Sequence, residues 1–332
     1  MRSSALASPV TRAVFAALWL AAAACAPQPA AQAPGYPTRP VTLLVGFSAG
    51  GPADLTARAL AEAVKPSFSQ PLEVVNRPGG AAAVATAELV RARPDGYTLC
   101  MCYGPALTLV PHISEVPYKG PQDIQPIIIG TIAPFFLVVR ADAPWQDAKQ
   151  FIEYARQNPG RVRIGHSGVG SLGHVGLELL NLRAGLNITG VPFPGAADAV
   201  RALLSGDVDG INVNPGAVTG QLAARQFKLL AAYTDQRVAG FEGVGTFKEA
   251  GYDVTTRSSI YFVAAPKDTP RDLVQRLYET FKQAIESPGF QKFAKDNGFL
   301  TRTDVTPDQL STMLAQDYQF FGELSRQINL RQ

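Results

Sequence analysis

A chain of 332 residues, 46% hydrophobic and 17% charged, can bury a large core and is long enough to predict two domains. Its formal net charge is +3, and residues 1–24 hold Arg2 and Arg12 and no acid, so the chain beyond them carries 3 − 2 = +1. That near-neutral balance excludes a charge-based argument for a nucleic-acid partner or an anionic membrane surface.

The N-terminal MRSSALASPVTR leads into the apolar run VFAALWLAAAA, which ends in small residues. This is the pattern of a secretory signal peptide over residues 1–24, too short to span a bilayer comfortably. The run ends at AAAAC, which leaves two processing routes open. Cys25 is either the lipid-modified first residue of a lipoprotein, or cleavage falls just downstream. Lipoprotein signals usually place Leu three residues before that Cys; here Ala22 stands there, with Leu20 two residues earlier. Residues 25–35 then read as a flexible leader, and the folded part begins near Tyr36. Export implies an oxidising compartment, where only Cys100 and Cys102 remain besides Cys25. In TLCMCY they fall at i and i+2 of a strand, as two buried small hydrophobes rather than a strained local disulfide. Two thiols and histidines scattered at 112, 166 and 174 do not make a zinc site.

After the leader, VTLLVGF (41–47) reads as a strand buried on both faces. SAGG follows, then a helix through PADLTARALAEAVK, with Pro52 suited to a first helical position. LEVVN (72–76) is the next strand, followed by RPGG, a helix through AAAVATAELVRA, and the strand YTLCMCY. This β-α-β-α-β order calls for parallel strands and right-handed crossovers. A second set begins with FFLVVR (135–140), a helix near 146–157, and VRIGHS leading to a helix near 171–184. NITGVPF precedes a helix over about 196–204, and VDGINVN and FKLLAAY add two strands. SSIYFVAA (258–265) precedes DTPRDLVQRLYETFKQAIE, with Thr269 as expected N-cap; Thr306 and Gln309 stand at capping-box spacing before the last helix. The alternation defines an α/β protein, with no internal repeat beyond the β-α rhythm.

The turn GHSGVGSLG (165–173) admits three readings. A serine hydrolase using Ser167 would need G-x-S-x-G, but the fifth position is Val169, and the only later histidine, His174, lies in the same helix. A dinucleotide fold fits Gly168, Gly170 and Gly173, but the region where the ribose-binding acid belongs, NITGVPFPG, contains none. The third reading is an anion site. SAGGPAD (48–54) and HSGVGSLG (166–173) are both small-residue turns between a strand and a helix. Each presents backbone N–H groups at a positive helix end, where an anion is stabilised without Lys or Arg. Ser48, Ser167 and Ser171 add hydroxyls. From the chemistry alone, the alternative remains that Gly serves only the turn geometry.

Taken in order, VGFSAGGPADLTAR, VVNRPGG, RPDGYTL, GHSGVGSLGHVGLELL, VPFPGAADAVRALLSGDVD and FKEAGY resemble the substrate-binding proteins of tripartite tricarboxylate transporters, the Bug family, from about residue 37 to 300. The resemblance implies a two-lobed periplasmic binding protein fold, each lobe a mainly parallel sheet flanked by helices, joined by two crossover strands. It implies one lobe over 36–134 plus 265–332 and the other over 135–264, with FFLVVR and SSIYFVAA as hinge strands. It implies a periplasmic receptor, not an enzyme, that needs no cofactor or metal, binds no nucleic acid, and works as a monomer. A small carboxylate would be held in the cleft and delivered to membrane permease subunits; a sensor presenting the bound form to a membrane receptor is the alternative. By the same resemblance, the carboxylate is held by Phe47, Ser48, Ala49, Gly50 and Gly51 and by Ser167, Gly168, Val169, Gly170 and Ser171. Asp54 and Arg58 would order the first turn, as an i,i+4 pair. The chain departs from the family pattern at Ala53, over the run from Gly80 to Ala85, and at Phe193 and Pro194, each time losing a polar or charged group. A ligand with fewer polar ends than citrate, a monocarboxylate with an apolar or aromatic body, is the expectation.

Overall fold

The computed structural model describes residues 35–328 and 330. The expected signal peptide, Cys25 and all of the leader except Gly35 lie outside the described residues. From Pro37 onward the chain is built on two five-stranded sheets. The first contains β1 (Val41–Val45), β2 (Leu72–Asn76), β3 (Thr98–Tyr103), β4 (Ile124–Ala133) and β10 (Ser259–Pro266), in the order β2-β1-β3-β10-β4. The second contains β5 (Phe136–Arg140), β6 (Arg163–His166), β7 (Thr189–Pro192), β8 (Gly210–Val213) and β9 (Phe227–Ala232), in the order β7-β6-β8-β5-β9. This is a two-lobed α/β fold, one lobe on each sheet.

Within each sheet the strands read from β-α-β units are parallel: β2-β1-β3 in the first, β7-β6-β8 in the second. The strand that arrives from the other lobe runs against them. β10 is antiparallel to β3 and β4, and β5 is antiparallel to β8 and β9. Each sheet is therefore mixed rather than mainly parallel. Ser259–Pro266 pair with the first sheet along their whole length, which moves Ser259–Ala264 from the second lobe to the first. The chain crosses between sheets at 134–135 and again over 233–258.

β4 was not among the expected strands. Its Pro126 obscures it, since proline cannot donate to a ladder and argues against a strand interior. The structure resolves the conflict by making β4 an edge strand, with Pro126 opposite Ala264 at a register shift. Cys100 and Cys102 are free and buried in β3, packed with Leu44, Leu107 and Phe262 in the first lobe's core.

The helices that matter for the site are α1 (Pro52–Ala63), α2 (Ala83–Arg91), α3 (Gly104–Thr108), α4 (Val110–Ile113), α5 (Ala148–Gln157), α6 (Leu172–Ala184) and α7 (Ala196–Ser205). α8 (Thr219–Ala223), α9 (Arg271–Glu286), α10 (Pro288–Asp296) and α11 (Pro307–Leu324) complete the fold. Pro52 opens α1 as expected, and Thr306 and Gln309 form the full capping box of α11. Thr269 does not cap α9; its hydroxyl donates instead to the Pro266 carbonyl at 2.7 Å, and α9 begins behind Pro270. The helix expected from Ala81 starts later, because Ala81 and Ala82 hold left-handed backbone, at φ 50° and 76°. The tight approach of Ala82 to Gly46, where an added Cβ would lie 2.2 Å from the Ala82 Cβ, requires glycine at 46.

Candidate functional site

In a parallel sheet the loops after the strands collect at the carboxyl edge, where ligands bind in open α/β folds. Three such loops meet here: Phe47–Gly51 between β1 and α1, Ser167–Ser171 between β6 and α6, and Phe193–Gly195 between β7 and α7. The first comes from one lobe and the other two from the second lobe.

The first turn is shaped by a buried carboxylate. Asp54, 2% exposed, accepts the Gly50 N–H at 2.9 Å, the Arg58 Nε at 3.0 Å and the Asn76 Nδ2 at 2.9 Å. Arg58 closes the ion pair with a second contact of 2.9 Å, and Asn76 also donates to the Phe47 carbonyl at 2.9 Å. Burial alone would raise the Asp54 pKa, but Arg58, the Gly50 amide and Asn76 together hold it below the usual carboxylate value. Asp54 and Arg58 thus order the turn. Gly50 serves it by its conformation (φ 85°), and its N–H is engaged by Asp54. Ala49 and Gly50 are exposed, Ser48 is half-buried, and only Phe47 and Gly51 of this group line the cleft.

In the second turn Ser167 and Ser171 line the cleft, while Gly168, Val169 and Gly170 do not. Three amides expected to face a ligand are engaged inside the loop. Gly168 N–H donates to the His166 carbonyl at 2.9 Å, Gly170 N–H to His174 Nδ1 at 3.3 Å, and Ser171 N–H to the Gly168 carbonyl at 3.1 Å. The loop therefore offers the cleft its two serine hydroxyls rather than a ring of amides. Among the described residues no serine hydroxyl is hydrogen-bonded to a histidine ring: His112 Nε2 bonds the Tyr318 carbonyl, His166 Nδ1 the Gly168 carbonyl and His174 Nδ1 the Gly170 amide. Of the supporting residues, Gly80 is exposed and Phe193 lies over Gly165, where an added Cβ would meet its ring at 3.0 Å; neither lines the cleft.

The third loop was missed. GAAD (195–198) repeats GPAD (51–54): in both, an uncapped Gly precedes a helix with Asp at its third position. Asp54 pairs with Arg58 and Asp198 with Arg201. These two helix starts, one from each lobe, meet head to head. A Cβ built on Gly51 would lie 3.9 Å from the Ala196 nitrogen, and one on Gly195 would lie 3.1 Å from the Ser48 nitrogen. Each uncapped N-terminus carries about half a positive charge from the aligned peptide dipoles. No lysine or arginine lines the cleft.

The remaining wall is aromatic and was also missed, because Tyr103, Tyr261 and Asn214 sit in strands that read as core. Phe47 packs edge-on against Tyr103 at 5.3 Å, and Tyr103 stacks on Tyr261 at 5.5 Å, a ladder across neighbouring β1, β3 and β10. Two hydrogen bonds cross between the lobes there. Leu172 N–H, at the start of α6, donates to the Tyr103 hydroxyl at 2.9 Å, and the Tyr261 hydroxyl donates to Asn214 Oδ1 at 3.0 Å. Asn214 Nδ2 donates in turn to the carbonyls of Ala133 (3.2 Å) and Pro134 (2.8 Å) at the inter-lobe crossing. Burial raises both phenol pKa values, so the phenols stay protonated. The cleft has an empty volume of about 330 Å³, part of it open to solvent.

Comparison with known proteins gives the family and the fold. Residues 56–330 match the sequence profile of the Tripartite tricarboxylate transporter family receptor. Protein BugT of Bordetella pertussis is 30% identical over 298 residues, covering 88% of this chain and 90% of its own. Among solved structures, the periplasmic binding protein BugD is similar at TM-score 0.83 and 28% identity, covering 88% of this chain and 98% of its own. MatC from Rhodopseudomonas palustris, solved with bound malate, is similar at TM-score 0.82 and 26% identity, covering 87% and 99%.

Proposed function

The chain belongs to the tripartite tricarboxylate transporter receptor family, and from that membership we propose that it captures a small carboxylate in the periplasm by closing its lobes on it and presents the closed form to membrane permease subunits. It does so as a monomer, since one copy carries both halves of the cleft, and no bond of the ligand is made or broken.

The observation that carries this reading is the head-to-head pair of uncapped helix ends in a cleft lined by no cationic side chain. Closing the lobes on nothing would bring two positive dipole ends together. A carboxylate between them reverses the sign of that interaction. An anion at a helix N-terminus is stabilised by up to about 2 kcal/mol in partly buried geometry, and a hydrogen bond to a charged group contributes about 1.5–3 kcal/mol. Two helix ends with the hydroxyls of Ser167 and Ser171 reach the roughly 5.5 kcal/mol that moves a two-state equilibrium from 1:99 to 99:1. Neutral donors also avoid the desolvation of a buried Lys or Arg.

Besides Gly51, Ala196 and the two serines, the cleft is lined by the aromatic residues Phe47, Tyr103, Phe135 and Tyr261. Asn214 already directs its Nδ2 to two carbonyls and its Oδ1 to Tyr261. A second carboxylate would face aromatic rings without a partner, at a cost of several kcal/mol. The ligand is therefore a monocarboxylate with an apolar body. Isothermal titration with benzoate, malate, adipate and citrate is expected to give monocarboxylate binding at least about 100-fold tighter than citrate, and a preference for citrate refutes this choice. Ser167→Ala and Ser171→Ala are each expected to weaken binding by about tenfold or more. Ser171→Ala should also lose about 0.5–2 kcal/mol of stability, because Ser171 caps α6 by accepting the His174 N–H. Wild-type affinity in both variants would place the site elsewhere.

A further inference from the structure

His166 and His174 lie behind the second turn, both buried, with rings stacked at 4.6 Å and 18°. Their contacts fix opposite ring forms. His166 Nδ1 lies 3.0 Å from the Gly168 carbonyl, which only accepts, so this nitrogen carries the proton. His166 Nε2 is then a bare lone pair, buried without a partner and facing β7, where a Cβ built on Gly190 would lie 3.1 Å away. His174 Nδ1 accepts the Gly170 N–H at 3.3 Å, so His174 carries its proton on Nε2, which lies 4.0 Å from Glu178. The backbone N–H of His174 also donates to Ser171 Oγ at 3.3 Å, which leaves the Ser171 hydroxyl proton free for another acceptor.

From this arrangement we infer that His166 and His174 are positioning residues: as a stacked pair of neutral imidazoles in opposite tautomers, they clamp the loop that aims Ser167 and Ser171 into the cleft. The importance of that aim rests on the function proposed above; the clamp itself is tested without any carboxylate. One ring holds the 168 carbonyl and the other holds the 170 amide, so neither of these two groups is turned toward the cleft. Burial keeps both rings neutral, and His166 adds to that effect on His174. Near the pair stand Glu178 on α6, Asn212 on β8 and Tyr233 just after β9; Asn212 donates to the Gly173 carbonyl and accepts from the Tyr233 hydroxyl rather than bonding the rings.

Nitrogen-15 NMR of the ring nitrogens at pH 7 is expected to show His166 protonated at Nδ1 and His174 at Nε2. Either ring in the other tautomer, or doubly protonated, overturns the inference. Substitution separates clamping from filling. His174→Asn keeps an acceptor for the Gly170 amide, whereas His174→Phe keeps only the ring. Gly170 amide exchange is expected to accelerate about tenfold in His174→Phe, the loss of one net hydrogen bond, and to stay near wild type in His174→Asn. Unchanged exchange in His174→Phe, or equal acceleration in both, overturns it. The wild-type tautomers decide the matter if a variant fails to fold.

Discussion

Replacing Gly195 with leucine is expected to weaken carboxylate binding at least about 1000-fold while leaving the unliganded protein folded. Gly195 has extended backbone (φ −171°), which any residue adopts, so the change strains nothing locally. Its Cβ would stand 3.1 Å from the Ser48 nitrogen and 3.3 Å from the Ser48 Cβ, atoms of the other lobe. Alanine already demands a shift of a few tenths of an ångström; leucine places three further carbons in the same contact and props the lobes apart. Binding that needs both helix ends then retains only one. Thermal melting reports the fold and titration calorimetry the affinity. Near-wild-type affinity in Gly195→Leu would mean that the ligand is not enclosed at this contact.

The second large effect is acid instability. Burial holds the His166 pKa at about 4; burial and then its neighbour hold His174 at about 3, against 6.5 for a free imidazole. Because both folded values lie below the unfolded one, the unfolded chain binds more protons as pH falls. The stability from neutral rings is complete above about pH 6.5 and is lost as pH drops toward 4 and 3. Each group that the unfolded chain protonates and the folded chain does not costs up to about 1.36 kcal/mol per pH unit over that range. Against a marginal total of about 5–15 kcal/mol, a loss of this kind is a large fraction of a domain's stability. Glu178 opposes the trend, since burial raises its pKa and the folded state takes up its proton more readily. Asp54, held below the usual value, adds to the loss at the acid end. Urea unfolding at pH 7.5, 6.5, 5.5 and 4.5 should show stability falling with a slope that His166→Asn/His174→Asn flattens. A flat wild-type profile contradicts the buried neutral pair.

Most of this fold was legible in the sequence because its strands are apolar runs and its helices start at Pro52, Ser171 and Thr306. β4 was lost to Pro126, and the antiparallel sense of β5 and β10 was lost because direction depends on which lobe the chain has just left. The cleft was half legible. The small-residue turns drew notice to Gly51, Ser167 and Ser171, but turn composition does not say which amides point outward, and those of Gly50, Gly168 and Gly170 are engaged at home. The clearest unused signal was the recurrence of GPAD at 51–54 and GAAD at 195–198, too short to count as a repeat by pattern alone. Tyr103, Asn214 and Tyr261 were invisible for another reason: their roles arise from contacts between residues 69 apart (Tyr103 and Leu172) and 47 apart (Asn214 and Tyr261) in sequence, which no local window contains.

The most direct test of the central claim is a crystal structure of the protein with the tightest-binding member of the carboxylate panel. The expected result is one carboxylate between the starts of α1 and α7, within hydrogen-bond distance of their first-turn amides and of the Ser167 and Ser171 hydroxyls, with no Lys or Arg in contact. A carboxylate held by a cationic side chain, or bound away from Gly51 and Ala196, would contradict it.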